Sequence, residues 1–325
     1  MTVFVIRRLL QAALVMLIMS LLVFGGVFLV GDPVEMLVAD DADQAERQAI
    51  IKSMGLDLPF YMQYLRFVGN ALQGDMGNSF VFQEPAMELI LERMPATFEL
   101  AVAALLIAVV IGIPLGIYAG LKADSWVSKT IMTASILGFS VPTFWVGIMM
   151  ILFFAVVLGW LPSTGRGDTV ELFGIPVSFL TLDGLQHLIL PAVNLALFKL
   201  SMVIRLARAG TREVVHQDYI KFARAKGLST GRIIGVHLFK NIMIPVVTVL
   251  GLEFGGLIAF SVVTETVFAW PGMGKLLIDS IGFLDRPVIV AYLLFVVGLF
   301  VFINLIVDVL YSVLDPRVRL QEVKS

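Results

Sequence analysis

The 325-residue chain contains no cysteine, so disulfides, thiolate zinc sites and iron–sulfur clusters built by this chain are excluded. Histidine is nearly as scarce: His187, His216 and His237 do not cluster. Charged residues make up 15% of the chain, against roughly 25% in an ordinary soluble domain. Apolar residues make up 59%, and the mean hydropathy is +0.95. Such a chain has too little polar surface to cover a core in water, so lipid must cover it. A water-soluble enzyme is thereby excluded. The formal net charge of −2 says little by itself, and nucleic acid is not an expected partner.

What the chain does have is long apolar runs. A membrane-spanning helix needs about 20 apolar residues. Leu9–Gly31, Leu100–Leu121 and Pro287–Val307 are free of Asp, Glu, Lys and Arg over 23, 22 and 21 residues. Gly184–Phe198 is expected to continue past Lys199 to about Ile204, and Asn241–Thr264 is broken only by Glu253. Thr130–Gly165 runs for 36 residues, too long for one upright helix and too short for two spans. We read it as one helix over 130–158, bent near Pro142, with Trp160-Leu161-Pro162 as its exit. The total is six spans. The first exceeds the apolar core of a signal peptide and lacks a small-residue cleavage site, so it reads as a retained span ended by Gly31-Asp32-Pro33.

Base distribution sets the orientation. With the N-terminus inside, 16 of the 23 Lys and Arg fall inside and 18 of the 25 acids fall outside. Both termini are therefore expected in the cytoplasm.

Two hydrophilic segments separate the spans. Asp32–Glu99 holds 12 acids and 4 bases and is expected outside. Asp43 suits the cap of a helix running to Met54, with Gly55 as its stop. Pro59–Leu72 follows as an aromatic-rich amphipathic stretch, either an interfacial cap or a docking surface for a soluble partner. Arg205–Lys240, expected inside, holds eight bases and two acids. The positive-inside rule explains the charge but not the pattern. Tyr219, Phe222, Ala223 and Lys226 fall at i, i+3, i+4 and i+7 and share a helix face. Gly227 then breaks the helix, and Ser229 suits the cap of a second one entering the next span. A helix, a glycine turn and another helix held between two spans make a rigid lever, fit to carry motion from a cytoplasmic partner into the membrane.

Enzymatic signatures are missing. Gly272-Met273-Gly274-Lys275 fails as a phosphate loop, because Ala269 and Leu276 stand where Gly and Ser or Thr are needed. There is no His-Glu-x-x-His zinc motif and no Gly-x-Ser-x-Gly elbow. Within the spans Glu253 is the clearest ionisable group, either part of a transport path or a carboxylate hydrogen-bonded inside the bundle. Gly112, Gly116 and Gly120, and then Gly251, Gly255 and Ala259, recur at the spacing of close helix packing, within the chain or against another subunit. No internal repeat of the kind that marks many secondary transporters is evident.

Several fragments in order carry a resemblance. They are Ile6-Arg7-Arg8-Leu9-Leu10, Gly31-Asp32-Pro33, Gly55-Leu56-Asp57, Gly74-Asp75-Met76-Gly77 and Arg93-Met94-Pro95-Ala96-Thr97. Further along come Ser140-Val141-Pro142-Thr143-Phe144-Trp145, Leu158-Gly159-Trp160-Leu161-Pro162 and Asp315-Pro316-Arg317. Over nearly its whole length the chain resembles the permease subunits of bacterial ATP-binding-cassette (ABC) importers, in the dipeptide/oligopeptide/nickel branch and of its first-permease type. The family's cytoplasmic signature, Glu-Ala-Ala, three residues, Gly, is matched at Asp218–Leu228. Lys221 and Phe222 replace the Glu and first Ala, while Ala223 and Gly227 agree. Lys240 stands where many relatives carry Pro, and Asn241 and Pro245 follow His237 as in the peptide/nickel branch.

The resemblance implies an all-α integral membrane protein of type I importer permease architecture, with six transmembrane helices and both termini cytoplasmic. The implied parts are an N-terminal helix (1–31), an extracytoplasmic helical segment (32–99), a five-helix core (100–314) carrying a coupling loop at 205–240, and a cytoplasmic tail (315–325). It implies no catalysis and no cofactor on this chain, with ATP and Mg bound by partners. Those partners are a second homologous permease, two ATPase subunits and an extracytoplasmic binding protein, around a path through the bacterial inner membrane. Asp218, Tyr219, Ala223, Arg224, Ala225, Lys226, Gly227 and Leu228 would couple to the ATPase, and Glu253 would lie on the path. Short peptides are the expected cargo, with nickel chelates, glutathione or another small solute as alternatives. An ion-coupled carrier working alone is a more remote reading.

Overall fold

In lipid a backbone must satisfy its own hydrogen bonds, and for apolar runs of this length the helix does so. The computed structural model describes residues 2–28, 44–53 and 57–314 and is helical almost throughout. In chain order the helices are α1 (Thr2–Phe28), α2 (Gln44–Ser53), α3 (Phe60–Ala71), α4 (Ala86–Leu121), α5 (Trp126–Ser140) and α6 (Thr143–Met150). A π-helical continuation of α6 covers Ile151–Val157, and a hairpin of β1 (Val170–Leu172) and β2 (Ile175–Val177) follows it. Then come α7 (Leu182–Val215), α8 (Asp218–Ala225), the single turn α9 (Thr230–Arg232), a π-helical stretch over Ile233–Leu238, α10 (Phe239–Val267), α11 (Met273–Gly282) and α12 (Arg286–Leu314). Among the described residues, five helices are long and apolar enough to cross a membrane: α1, α4, α7, α10 and α12. The pair of α5 and extended α6 makes a sixth if counted as one span.

That pair departs from the expected single bent helix. Val141, squeezed by the ring of Pro142, is extended at φ −91° and ψ 135° and ends α5. The helix restarts at Thr143, and the two axes differ by 104°. The site of the bend was legible in Pro142, but the turn is a break rather than a kink.

Two helices outrun their apolar stretches. Helix α4 begins at Ala86 instead of near Leu100, because Ala86, Leu89, Ile90 and Ala96 already form a buried stripe. Helix α7 runs past Ile204 to Val215 because Val203, Ile204, Ala207 and Thr211 keep the helical period on one face. Arg205 and Arg212 stay exposed on the other. The expected loop at 205–240 is therefore helical for its first third.

The chain divides into two compact units, residues 1–96 with 271–305 and residues 97–270 with 306–325. In the first unit, α3 lays its aromatic face on α1. Phe24 meets the rings of Phe60, Tyr64 and Phe67 at centroid distances of 5.6, 5.6 and 5.2 Å, and the hydroxyls of Ser20 and Tyr64 share a hydrogen bond. The expected helix cap at Asp43, the stop at Gly55, Gly31-Asp32-Pro33 and the tail from Asp315 lie outside the described residues.

The second unit is centred on a seam between α4 and α7. A Cβ added at Gly112 would come within 2.8 Å of Val203, at Gly116 within 2.6 Å of the Ile204 carbonyl, and at Gly120 within 2.5 Å of Thr211. Glycine every fourth residue lets the two backbones close to contact, so this stripe packs within the chain. Ile242, Val246 and Leu250 of α10 complete that core. Gly251 sits against Val307 of α12, where a Cβ would come within 2.8 Å.

Candidate functional site

The turn after α7 is built to hold one shape. Helix α8 ends in a paired C-cap: the Gly227 N–H donates to the Arg224 carbonyl at 2.9 Å and the Leu228 N–H to the Ala223 carbonyl at 3.2 Å. This Schellman arrangement needs a left-handed residue between the two donors, and Gly227 supplies it at φ +77°. Ser229 then caps the next turn, accepting from the Arg232 N–H, and the chain passes through the π-helical stretch into α10.

The two faces of α8 differ from the expected pattern. Ile220 and Ala223 are buried against Ile233, with Val214 of α7 and Leu228 around them. Ala223, 7% exposed, therefore seats α8 on its own chain and does not share the outward face with its expected companions. A pattern of i, i+3, i+4 and i+7 spans about 100° of a helix, wide enough to straddle a boundary. Tyr219, Phe222 and Lys226 do face outward. The Phe222 ring is 62% exposed, and the Lys226 ammonium lies 4.6 Å from its centroid. Arg224 and Ala225 are exposed beside them, and Leu228 is half-buried. Tyr219 and Phe222 thus stand exposed side by side on a capped, basic turn.

Asp218 opens α8 fully exposed. The Lys221 ammonium, at 2.9 Å, hydrogen-bonds and faces its carboxylate, and so lowers its pKa below the ordinary value. A depressed carboxylate stabilises the fold above its unfolded pKa, and the contribution fades only as pH falls through the folded one. The Asp218–Lys221 contact therefore stays constant at neutral pH.

The second feature lies inside the spans. Glu253 of α10 is not isolated. It forms an ion pair with Lys199 of α7, whose side chain is 7% exposed while that of Glu253 is 34% exposed. Lys199 was read only as an interruption of an apolar run. Its meaning as a partner for Glu253, 54 residues on, depends on the packing of α7 against α10.

A third cluster was not read from the sequence. Glu99 of α4 accepts from the Ser178 N–H and hydroxyl and the Phe179 N–H on one oxygen, and from the Arg166 guanidinium at 2.6 Å on the other. Arg166 also donates to the Pro176 carbonyl and stacks on Trp270. Together they pin the β-hairpin to α4 at Glu99. Nothing in the spacing of Glu99, Arg166 and Ser178 announces this. Lys275, in the failed phosphate loop, is held by Asp279 at 2.6 Å.

A set of apolar spans, a capped turn between two of them and a charge pair within them define a multi-span membrane protein. Comparison with known proteins makes this specific. Residues 112–320 match the family described as the binding-protein-dependent transport system inner membrane component, and residues 1–101 match its N-terminal companion. The chain belongs to this family, the membrane-spanning subunits of ABC transporters. It is 40% identical to the di/tripeptide transport system permease DppB of Pseudomonas aeruginosa, over 93% of this chain and 94% of that one. It is 37% identical to the dipeptide transport system permease DppB of Escherichia coli K12, over 97% and 98%. A putative peptide transport system permease of Brucella abortus is 40% identical over 98% and 99%. Among solved structures, the inward-facing MetNI methionine ABC transporter superposes with a TM-score of 0.56 at 18% identity, covering 70% of this chain and 97% of that one. At that identity the likeness bears on the fold alone.

Proposed function

We propose that the chain is one of two permease subunits of an ABC importer that carries short peptides across the bacterial inner membrane. A binding protein outside delivers the peptide, and two ATPase subunits inside bind ATP and Mg. In this reading both termini lie in the cytoplasm with α8, and the β-hairpin lies on the opposite side. The outward face of Tyr219, Phe222 and Lys226 seats in the ATPase, with Arg224 and Ala225 beside it. Asp218, Gly227 and Leu228 fix the angle of the turn, and Ala223 transmits ATPase movement to Ile233 and α7. The chain forms no covalent bond with its cargo.

The observation that carries the cargo is the near full-length identity to permeases named for dipeptides, tripeptides and peptides. The test is to purify the complex through a tag on this chain, weigh it by native mass spectrometry and measure uptake of a labelled dipeptide in proteoliposomes. Recovery with a second permease and two ATPase chains, together with ATP-dependent dipeptide uptake, is expected. Uptake by this chain alone, or a complex that moves nickel chelates or glutathione and ignores dipeptides, would overturn the reading.

A further inference from the structure

Two buried carboxylates, Glu99 and Asp285, use both of their oxygens. Glu99 receives five hydrogen bonds. Asp285, fully buried, takes the Ser79 hydroxyl on one oxygen and the Phe80 N–H on the other. Glu253 is different. Its Oε2 meets Lys199, while its Oε1 receives no hydrogen bond from any described residue. Lys199 has three protons to donate. Its contacts among the described residues are Glu253 and the face of Phe198, 5.2 Å from the ring centroid. An ion pair kept only to hold two helices together is expected to have its remaining lone pairs and protons satisfied, because unfilled polar groups are costly out of water.

The pair is also open on one flank. A Cβ added at Gly256, one turn along α10, would lie 3.8 Å from Glu253 Oε2 and 3.9 Å from Lys199 Nζ, with no other described side chain within 4 Å. The absence of a side chain at 256 leaves both charged atoms facing the same opening. Ionisable residues within membrane spans face a bundle interior or a water-filled cavity and mark the route of a substrate.

We propose that Lys199 and Glu253 receive the charged ends of a peptide during its passage, the α-ammonium on Glu253 and the α-carboxylate on Lys199. This inference rests on the peptide-import reading above. A zwitterion carries the same two charges as the pair it would divide. One internal ion pair is exchanged for two with the cargo, and the site stays neutral throughout. Such an exchange is nearly balanced, as a transport site requires, because a site that holds its cargo too firmly does not release it.

The test uses the whole complex in proteoliposomes with its binding protein. The double variant Lys199→Met with Glu253→Gln removes both charges together, so neither is left buried alone. Dipeptide uptake per assembled complex should fall roughly tenfold or more, the scale of a lost charge-assisted contact. Because the chain has no cysteine, Gly256→Cys gives this subunit a single reporter beside the pair. Its reaction with a charged thiol reagent during turnover should slow roughly fivefold when dipeptide is about four times above half-saturation, by mass action. A peptide blocked at both ends should give no protection. If the double variant does not assemble, protection at Gly256→Cys decides alone. Unchanged uptake by an assembled double variant, or labelling indifferent to dipeptide, overturns the proposal while leaving peptide import intact. A wild-type complex that moves no dipeptide overturns both.

Discussion

Gly227 offers a perturbation whose size follows from geometry alone. Its backbone is left-handed at φ +77°, and a Cβ placed there would meet no described neighbour within 4 Å. Gly227→Ala therefore costs only the backbone preference of an L-residue, about 1–2 kcal/mol. At 1.4 kcal/mol per factor of ten, that makes the closed turn roughly 5- to 30-fold less favoured against open forms. Asn tolerates this region better than Ala, and Gly227→Asn should lose less. Gly227→Pro is of another order: the ring fixes φ near −65° and removes the N–H that donates to the Arg224 carbonyl, so the turn cannot close. Hydrogen exchange at the Leu228 amide, which bonds to the Ala223 carbonyl, reads the opening directly. Exchange should quicken by roughly 5- to 30-fold in the Ala variant and less in the Asn variant. In the Pro variant protection should be lost. Peptide uptake per inserted chain should follow the same order, with Pro abolishing it. Equal uptake by all three variants, or an Asn variant as impaired as the Pro variant, would refute the link between this turn and coupling.

Two further substitutions probe the frame. Gly116→Ala would drive a methyl to 2.5 Å from the Ala207 Cβ and 2.6 Å from the Ile204 carbonyl, so it should destabilise the chain by about 1–3 kcal/mol. Gly231→Ala, with nothing within 4 Å, should not, and equal melting temperatures for the two in detergent would contradict the seam. Glu99→Gln sets an amide among five donors and leaves the buried Arg166 guanidinium without its counter-charge. A loss of about 3–5 kcal/mol is expected locally, read as faster proteolysis of the 166–180 segment. Unchanged cleavage would show that the hairpin is held by something else.

How much of this was legible beforehand depended on the range of the interactions. Spans are set by local hydropathy, and their number and order follow from the apolar runs. The glycine break at 227 and the cap at Ser229 are local too, because a cap is made by residues three or four apart. The ends of α4 and α7 were misjudged because burial continues along one face after charge appears on the other. Hydropathy summed over a window averages the two faces away. Ala223 shares a face with Tyr219, Phe222 and Lys226 by spacing yet is buried, because periodicity defines a face but not which neighbour covers it. The pairs Lys199–Glu253 and Glu99–Arg166 are separated by 54 and 67 residues. They exist only through tertiary packing, so no spacing rule reaches them.

Helix α7 has a mechanical consequence. The seam with α4 grips it around Ala207, between Val203 and Thr211. From Ala207 the helix runs 25 residues back to its start at Leu182 and eight forward to Val215, or about 38 Å and 12 Å at 1.5 Å per residue. Asn194 and Lys199 on the longer arm tie it to Thr264 and Glu253 of α10, so α7 and α10 together make a beam with unequal arms about the seam. Tilted about the seam, its two ends swing in opposite directions, and the hairpin end travels about three times as far as the end touching α8. In the importer proposed above, opening on one side and closing on the other would then need no message passed between them, because both would be the same rotation seen from the two ends of one beam.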